Sequence, residues 1–268
     1  ANKSLGQNFL VDDESIEKIV EASDLTTDDL VIEIGPGLGT LTQKLLEKAK
    51  KVIAIELDKK MIKVLQDRFL LYTNLEIINE DVLKVDLKEV IEKNGFKTAK
   101  VVANLPYYIT TPIIMQLLEK KLPIETITVM IQKEVAYRMK AQPSTKDYGS
   151  LSLAVQYYCE PYLVANVPQN CFMPRPNVDS AVIKLTVMDK PKVQVNNEKF
   201  MFEFIKAAFS QRRKTLVNCI FSSGLLTLSK DEIGKMLNGL GYDERVRGES
   251  LTLEDYGKIT DEAEKYIK

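Results

Sequence analysis

Leu30-Val-Ile-Glu-Ile34-Gly35-Pro-Gly37-Leu-Gly39 decides how this chain folds. An apolar, β-branched run passes directly into a turn with glycine at alternate positions, which reads as a strand feeding a helix through a tight loop. Working outward, an amphipathic stretch covers residues 38–50, Val52-Ile-Ala-Ile-Glu56 repeats the strand pattern, and a second amphipathic stretch covers 59–69. Further strands are expected at Leu75-Glu-Ile-Ile78, Lys100-Val-Val-Ala103 and Ile127-Thr-Val-Met-Ile131, with a helix over 112–120 between the last two. Such alternation predicts a parallel sheet wrapped by helices. After Gln132 come a helix over 133–140, a Pro/Ser/Gly-containing stretch over 142–150 and an apolar helix to Tyr158. Two more strands, at 161–167 and 180–187, are joined by a Pro-rich loop over 168–177, an antiparallel addition at the sheet edge. The fold class is therefore α/β, Rossmann-like and seven-stranded. Beyond Lys190-Pro191-Lys192 the β signal ends and amphipathic helices follow, so residues 1–189 and 190–268 are expected as a catalytic domain and a small all-helical C-terminal domain.

Composition narrows the chemistry. The 268 residues are 45% apolar and 28% charged, as in a globular protein with a sizeable core. With 37 Lys+Arg against 38 Asp+Glu the net charge is -1, so a polyanionic partner must be met by a local basic face. The chain has no histidine, which removes Ser-His-Asp and Cys-His nucleophile systems, His-ligated zinc and any imidazole relay. Cys159, Cys171 and Cys219 are spaced for neither a metal pair nor a disulfide framework, which points to reduced thiols and a cytoplasmic protein without metal. No apolar run approaches the roughly 18 residues of a membrane span.

The glycines after the first strand let the backbone approach a ligand closely, and the following helix aims its N-terminal N–H groups at the same point. Glu56 ends the second strand 21 residues after Gly35, where a carboxylate accepts from ribose hydroxyls. Asp81 follows the third strand and suits an exocyclic adenine amine; Asn104 follows the fourth. A dinucleotide remains open at this point. Asn104-Leu105-Pro106-Tyr107 decides otherwise. Pro106 lacks an N–H, so the turn offers acceptors with few competing donors. The Asn104 side-chain oxygen and the Leu105 carbonyl match the two hydrogens of an exocyclic amine. Its lone pair is freed to attack a methyl group when hydrogen bonding favours a tetrahedral nitrogen. Tyr107 adds a π-face for the base.

Together with Gly6-Gln7-Asn8-Phe9-Leu10, Gln132-Lys133-Glu134-Val135, Phe172-Met-Pro-Arg-Pro-Asn-Val-Asp-Ser180, Gln211-Arg-Arg-Lys-Thr-Leu216 and Arg247-Gly-Glu-Ser-Leu251, these stretches resemble the ribosomal RNA adenine N6-dimethyltransferases, most similarly the KsgA type. The resemblance spans nearly the whole chain. It implies the S-adenosylmethionine-dependent methyltransferase fold, with S-adenosyl-L-methionine as methyl donor held by Asn8, Leu10, Gly35, Gly37, Glu56, Asp81 and Asn104. The implied substrate is two adjacent adenosines near the 3′ end of small-subunit ribosomal RNA, within an assembling 30S-type particle and engaged by a monomer. Catalysis falls to Asn104, Leu105, Pro106 and Tyr107, with Phe172 closing on a flipped adenine opposite Tyr107. Some members carry a third proline in place of Arg175 and Asn in place of Tyr108, and members often have a longer leader before Gly6.

Residues 191–229 carry six positive and two negative side chains, whereas 230–268 carry seven and ten. Lys206, Arg212, Arg213 and Lys214, with Arg245 and Arg247, form the expected RNA-backbone footprint. Three alternatives compete with this reading. A macrolide-resistance methyltransferase acting on large-subunit RNA usually has Ile at the position of Leu105 and is strongly basic. A nicotinamide-dependent oxidoreductase shares the Gly turn and Glu56 but leaves the Asn104 turn unexplained. A binding-only assembly factor has no need of intact Glu56, Asp81 and Asn104.

Overall fold

The computed structural model describes residues 8–268; Gly6 and Gln7 of the first motif lie outside them. The elements are β1 Phe9–Leu10, α1 Asp13–Ala22, β2 Leu30–Ile34, α2 Thr40–Lys48, β3 Lys51–Ile55, α3 Lys59–Arg68, β4 Leu75–Ile78 and α4 Leu87–Lys93. They continue with β5 Ala99–Asn104, α5 Thr110–Glu119, β6 Ile124–Gln132, α6 Lys133–Lys140, α7 Ser150–Tyr158, β7 Cys159–Val167, β8 Phe172–Met173 and β9 Ser180–Val187. Four helices close the chain, α8 Glu198–Ala208, α9 Leu216–Ser223, α10 Lys230–Gly239 and α11 Leu253–Ala263.

Seven strands form one sheet in the order β4-β3-β2-β5-β6-β9-β7. β2 is parallel to both β3 and β5, β3 to β4 and β5 to β6, while β9 runs antiparallel to β6 from Thr126↔Thr186 to Gln132↔Ser180. All five residues of β2 are buried, which is why that strand lacks polar alternation. Pro161 is tolerated because β7 is an edge strand. The strand order reverses between β2 and β5, so their carboxyl ends diverge and leave a crevice.

Helix ends have local causes. α2 starts only after Gly39, whose φ of +83° a side chain rarely adopts and where a Cβ would lie 2.5 Å from the Phe69 ring. α5 begins at Thr110, ahead of Pro112, because a proline in the first turn gives up an N–H that has no helical acceptor. Two helices are additional to those expected. α1 is capped by Asp12, which accepts from the Ser15 N–H at 2.8 Å, and buries Ile16, Ile19 and Val20. α4 is capped by Asp86, which accepts from the Glu89 N–H at 3.1 Å.

The chain divides into two compact units. One comprises the described residues through Tyr137 together with Glu160–Met188; the other comprises Arg138–Cys159 and Asp189–Lys268. The expectation set one boundary near residue 190; the second unit here takes in residues 138–159 as well, because α7 packs with the C-terminal helices. The Tyr157 and Tyr158 hydroxyls donate to Glu198 at 3.2 and 2.6 Å, and the Tyr148 hydroxyl donates to the Leu251 carbonyl at 2.7 Å. Within the first unit, β1 pairs antiparallel with β8, setting Phe9 opposite Met173 and Leu10 opposite Phe172.

Candidate active site

A cavity of about 310 Å³ opens at the carboxyl ends of β2, β3, β4 and β5, where the reversed strand order leaves room for it. Its wall includes Asn8, Leu10, Gly35, Gly37, Glu56, Asp81 and Asn104, all seven of the expected donor-binding residues, and Leu105, Pro106 and Tyr107 at one end. The strand registers bring the turns after β2, β3, β4 and β5 together, and the β1 segment adds Asn8 and Leu10.

Glu56 is the best-defined acceptor. It is buried, and its two carboxylate oxygens receive backbone N–H groups, from Gly37 at 3.2 Å and from Asp58 at 2.8 Å. Burial raises its pKa, with the two N–H groups acting against the rise, and the Gly37 bond sets the carboxyl group against the glycine turn. At Gly37, with φ +57°, an added Cβ would sit 3.0 Å from the Phe9 ring, so the cavity floor has no space for a side chain there. Asp81 uses one oxygen to cap the turn at Val82, accepting from the Leu83 N–H at 3.0 Å.

Glu33 had a place in the glycine motif but no assigned role. It lines the cavity, is 1% exposed, and its Oε2 finds no well-formed hydrogen bond among the described residues. Burial pushes its pKa up to about 8, opposed in part by the nearby Thr42 hydroxyl and assisted by the neighbouring Glu56 charge. Glu80 also lines the wall. The cavity thus presents Glu33, Glu56, Glu80 and Asp81 and, among its described lining residues, no lysine or arginine. Glu80 was recognisable as a carboxylate beside Asp81 in sequence; the burial of Glu33 was not.

The Asn104 turn is held from several directions. The Leu105 N–H donates to Met130 at 3.1 Å, continuing the strand, and the Thr110 hydroxyl donates to the Pro106 carbonyl at 3.0 Å. The Asn104 Nδ2 donates to the Asn8 carbonyl at 3.3 Å, which commits the amide's donor end and leaves Oδ1 as the acceptor. The Tyr107 hydroxyl is hydrogen-bonded to Ser180 at the start of β9, and burial raises its pKa. Tyr108, by contrast, is 58% exposed at the rim.

Phe172 is not brought to this wall. It is 4% exposed and belongs to the hydrophobic cluster of Leu10, Ile16, Leu41 and Val182, because the β1–β8 pairing covers it. The expected stacking opposite Tyr107 is therefore not present in this conformation.

The basic residues fall into two groups. Lys206, Arg213, Lys214 and Arg245 are exposed and form no ion pair among the described residues. Arg212 donates to the Tyr148 carbonyl at 3.1 Å and lies 3.7 Å from Glu249, and Arg247 lies 3.9 Å from the same carboxylate. Their charge is partly neutralised, and Arg212 has a structural task. No group of three or more potential metal ligands occurs among the described residues, and no described helix is long and apolar enough to cross a membrane. The three cysteines are free.

Comparison with known proteins agrees with this geometry. A family profile described as ribosomal RNA adenine dimethylase matches residues 1–260. The chain is 56% identical to the ribosomal RNA small subunit methyltransferase A of Lachnoclostridium phytofermentans, over 99% of this chain and 92% of that one. It is 50% identical to the protein of the same name from Clostridioides difficile, over 97% and 89%. Among solved structures, a dimethyladenosine transferase from Plasmodium falciparum superposes with a TM-score of 0.79 at 29% identity, covering 94% of this chain and 95% of that one. The 23S rRNA methyltransferase ErmE gives a TM-score of 0.72 at 25% identity, covering 96% and 100%. With the profile spanning nearly all of its length, the chain belongs to the ribosomal RNA adenine dimethylase family.

Proposed function

We propose that this protein transfers methyl groups from S-adenosyl-L-methionine to N6 of two adjacent adenosines near the 3′ end of small-subunit ribosomal RNA. The observation that carries the reading is the acidic lining of the cavity: the carboxyl groups of Glu56, Glu80 and Asp81 beside the protonated Glu33, no lysine or arginine among the described lining residues, and an amide–aromatic turn at one end. A donor bearing a sulfonium and an ammonium suits such a wall. The pyrophosphate of a dinucleotide would meet like charge there, which argues against the oxidoreductase reading. The buried Glu56 and the glycine floor fit the donor's ribose and its close approach to the backbone, while Asp81 and Val82 flank the site for its adenine.

S-Adenosyl-L-methionine supplies an electrophilic methyl group. Asn104 Oδ1 and the Leu105 carbonyl accept from the two hydrogens of the target N6, favouring a pyramidal nitrogen whose lone pair is available. Tyr107, anchored through its hydroxyl to Ser180, stacks on the flipped base. No protein base is needed, because a proton on the methylated exocyclic nitrogen interrupts its conjugation and leaves readily to water. Lys206, Arg213, Lys214 and Arg245 hold the RNA backbone from the helical unit; the second unit as a whole serves RNA binding and the first serves catalysis. The enzyme works as a cytoplasmic monomer, without metal, on an assembling 30S-type particle.

A second reading, one adenine in large-subunit RNA, is favoured by the likeness to ErmE. Methyl transfer from labelled donor to immature small subunits, run beside large-subunit RNA, separates the two. Label incorporated only into large-subunit RNA refutes the small-subunit assignment.

A further inference from the structure

Tyr108 lines the cavity and yet spends hydrophobic surface on solvent. Its side chain is 58% exposed, and among the described residues its hydroxyl has no hydrogen-bond partner and its ring no aromatic or cationic neighbour. The backbone beneath it is not loose. Tyr107–Ile109 form a single 3₁₀ turn, closed by the Ile109 N–H donating to the Pro106 carbonyl at 3.3 Å and braced by the Thr110 hydroxyl on the same oxygen at 3.0 Å. An exposed aromatic on a braced turn presents its π-face from a backbone that needs no further ordering, so only the side-chain torsions remain to be fixed on binding.

The turn also says which base such a platform serves. Successive side chains of a 3₁₀ turn point roughly 120° apart, so Tyr107 and Tyr108 diverge and cannot sandwich one base between them. Tyr107 turns inward to Ser180 on β9, leaving Tyr108 to the rim. When the target adenine sits at Asn104, the next nucleotide of the strand is one phosphodiester away, at that rim. Tyr108 is the remaining exposed aromatic there, since Phe172 is covered by β1.

We infer that Tyr108 is the stacking platform for the nucleobase adjoining the target adenine, and so positions the adenine pair for its successive methylations. The inference rests on the function proposed above. It is tested with a hairpin RNA containing the adjacent adenines, in which one adenine is replaced by the fluorescent base 2-aminopurine, bound to wild-type protein and to Tyr108→Ala, Tyr108→Phe and Tyr108→Gln. Stacking on aromatic rings is sequence-tolerant and strong, so Tyr108→Ala and Tyr108→Gln should weaken RNA binding by about five- to a hundredfold and relieve the quenching of the flanking base. Tyr108→Phe should keep both within about twofold. Donor affinity and melting temperature should be the same in all four proteins, since the side chain is exposed. Quenching and RNA affinity unchanged in both Tyr108→Ala and Tyr108→Gln overturn the inference. So does a selective loss of donor affinity, which would make Tyr108 a cover for the donor. Failure of the functional reading looks different: the wild-type protein itself then transfers no methyl group to small-subunit RNA.

Discussion

Replacing Glu33 by Gln keeps the side chain's shape and removes its titration, and the consequence is a change in how stability depends on pH. In the folded protein the carboxyl is wholly buried with a pKa of about 8; its ordinary value is 4.5. Between these values the folded protein holds a proton that the unfolded chain has released, so stability falls as pH rises through the window, by about 1.4 kcal/mol per pH unit. By pH 7 the loss attributable to this one group is about 3 kcal/mol. Glu33→Gln lacks that loss, and every other titrating group contributes to both proteins. The difference in unfolding free energy, Glu33→Gln minus wild type, should therefore climb by about 3 kcal/mol between pH 4.5 and pH 7 and flatten above pH 8. Reading the slope, and not the offset, eliminates the constant cost of burying an amide. Urea denaturation across that pH range measures it. A difference that stays constant with pH would mean that Glu33 is already ionised in the fold, with an unseen partner for Oε2.

Further outcomes are expected at other positions. Glu56→Ala should lower donor affinity about ten- to a hundredfold in titration calorimetry while leaving the fold intact, because a charged hydrogen-bond acceptor is lost. Gly39→Ala should cost roughly 2 to 4 kcal/mol in denaturant, combining left-handed backbone strain with the Phe69 and Leu65 side chains that an added Cβ would meet; a loss below half a kcal/mol would show that α3 yields easily. Asn104→Ala should reduce single-turnover methyl transfer by about a hundredfold or more with RNA affinity nearly unchanged, and near wild-type rates would leave the turn a purely structural feature. Changing Lys206, Arg213 and Lys214 together to Ala should reduce the log–log salt slope of RNA binding by about 2, whereas Arg212→Ala should mainly lower stability, since Arg212 holds the Tyr148 carbonyl.

The parallel sheet was legible because its strands are short, mainly apolar runs, three of which, β3, β4 and β5, lead into a ligand-type residue, Glu56, Asp81 or Asn104. α1 was not, although Ile16, Ile19 and Val20 stand at helical spacing, because these three apolar side chains lie among Glu14, Glu17 and Glu21 in a stretch that is polar on average. The β1–β8 pair has two residues per strand, too few to show a period, and its register determines that Phe172 is core. Glu33 belonged visibly to the glycine motif, yet its elevated pKa depends on burial that β2 acquires only inside the sheet. Arg212 read as one more cation because Glu249 and the Tyr148 carbonyl reach it only through tertiary packing.

The interruption of the first unit by residues 138–159 bears on how the chain is made. Synthesis runs from the N-terminus, so β2 to β6 emerge first, followed by α7, whose packing partners α8 and α11 come later still. The sheet meanwhile waits for β9, which pairs along β6, and for the stretch that carries β8 under β1. α7 must therefore spend the synthesis of β7 to β9 with the preceding α6, whose Arg138 and Met139 carbonyls accept from its Ser152 and Gln156 side chains, but without the α8 and α11 surfaces it later covers. The same path makes residues 190–268 an incomplete module: cut out as a fragment, they would lack the helix whose tyrosines meet Glu198.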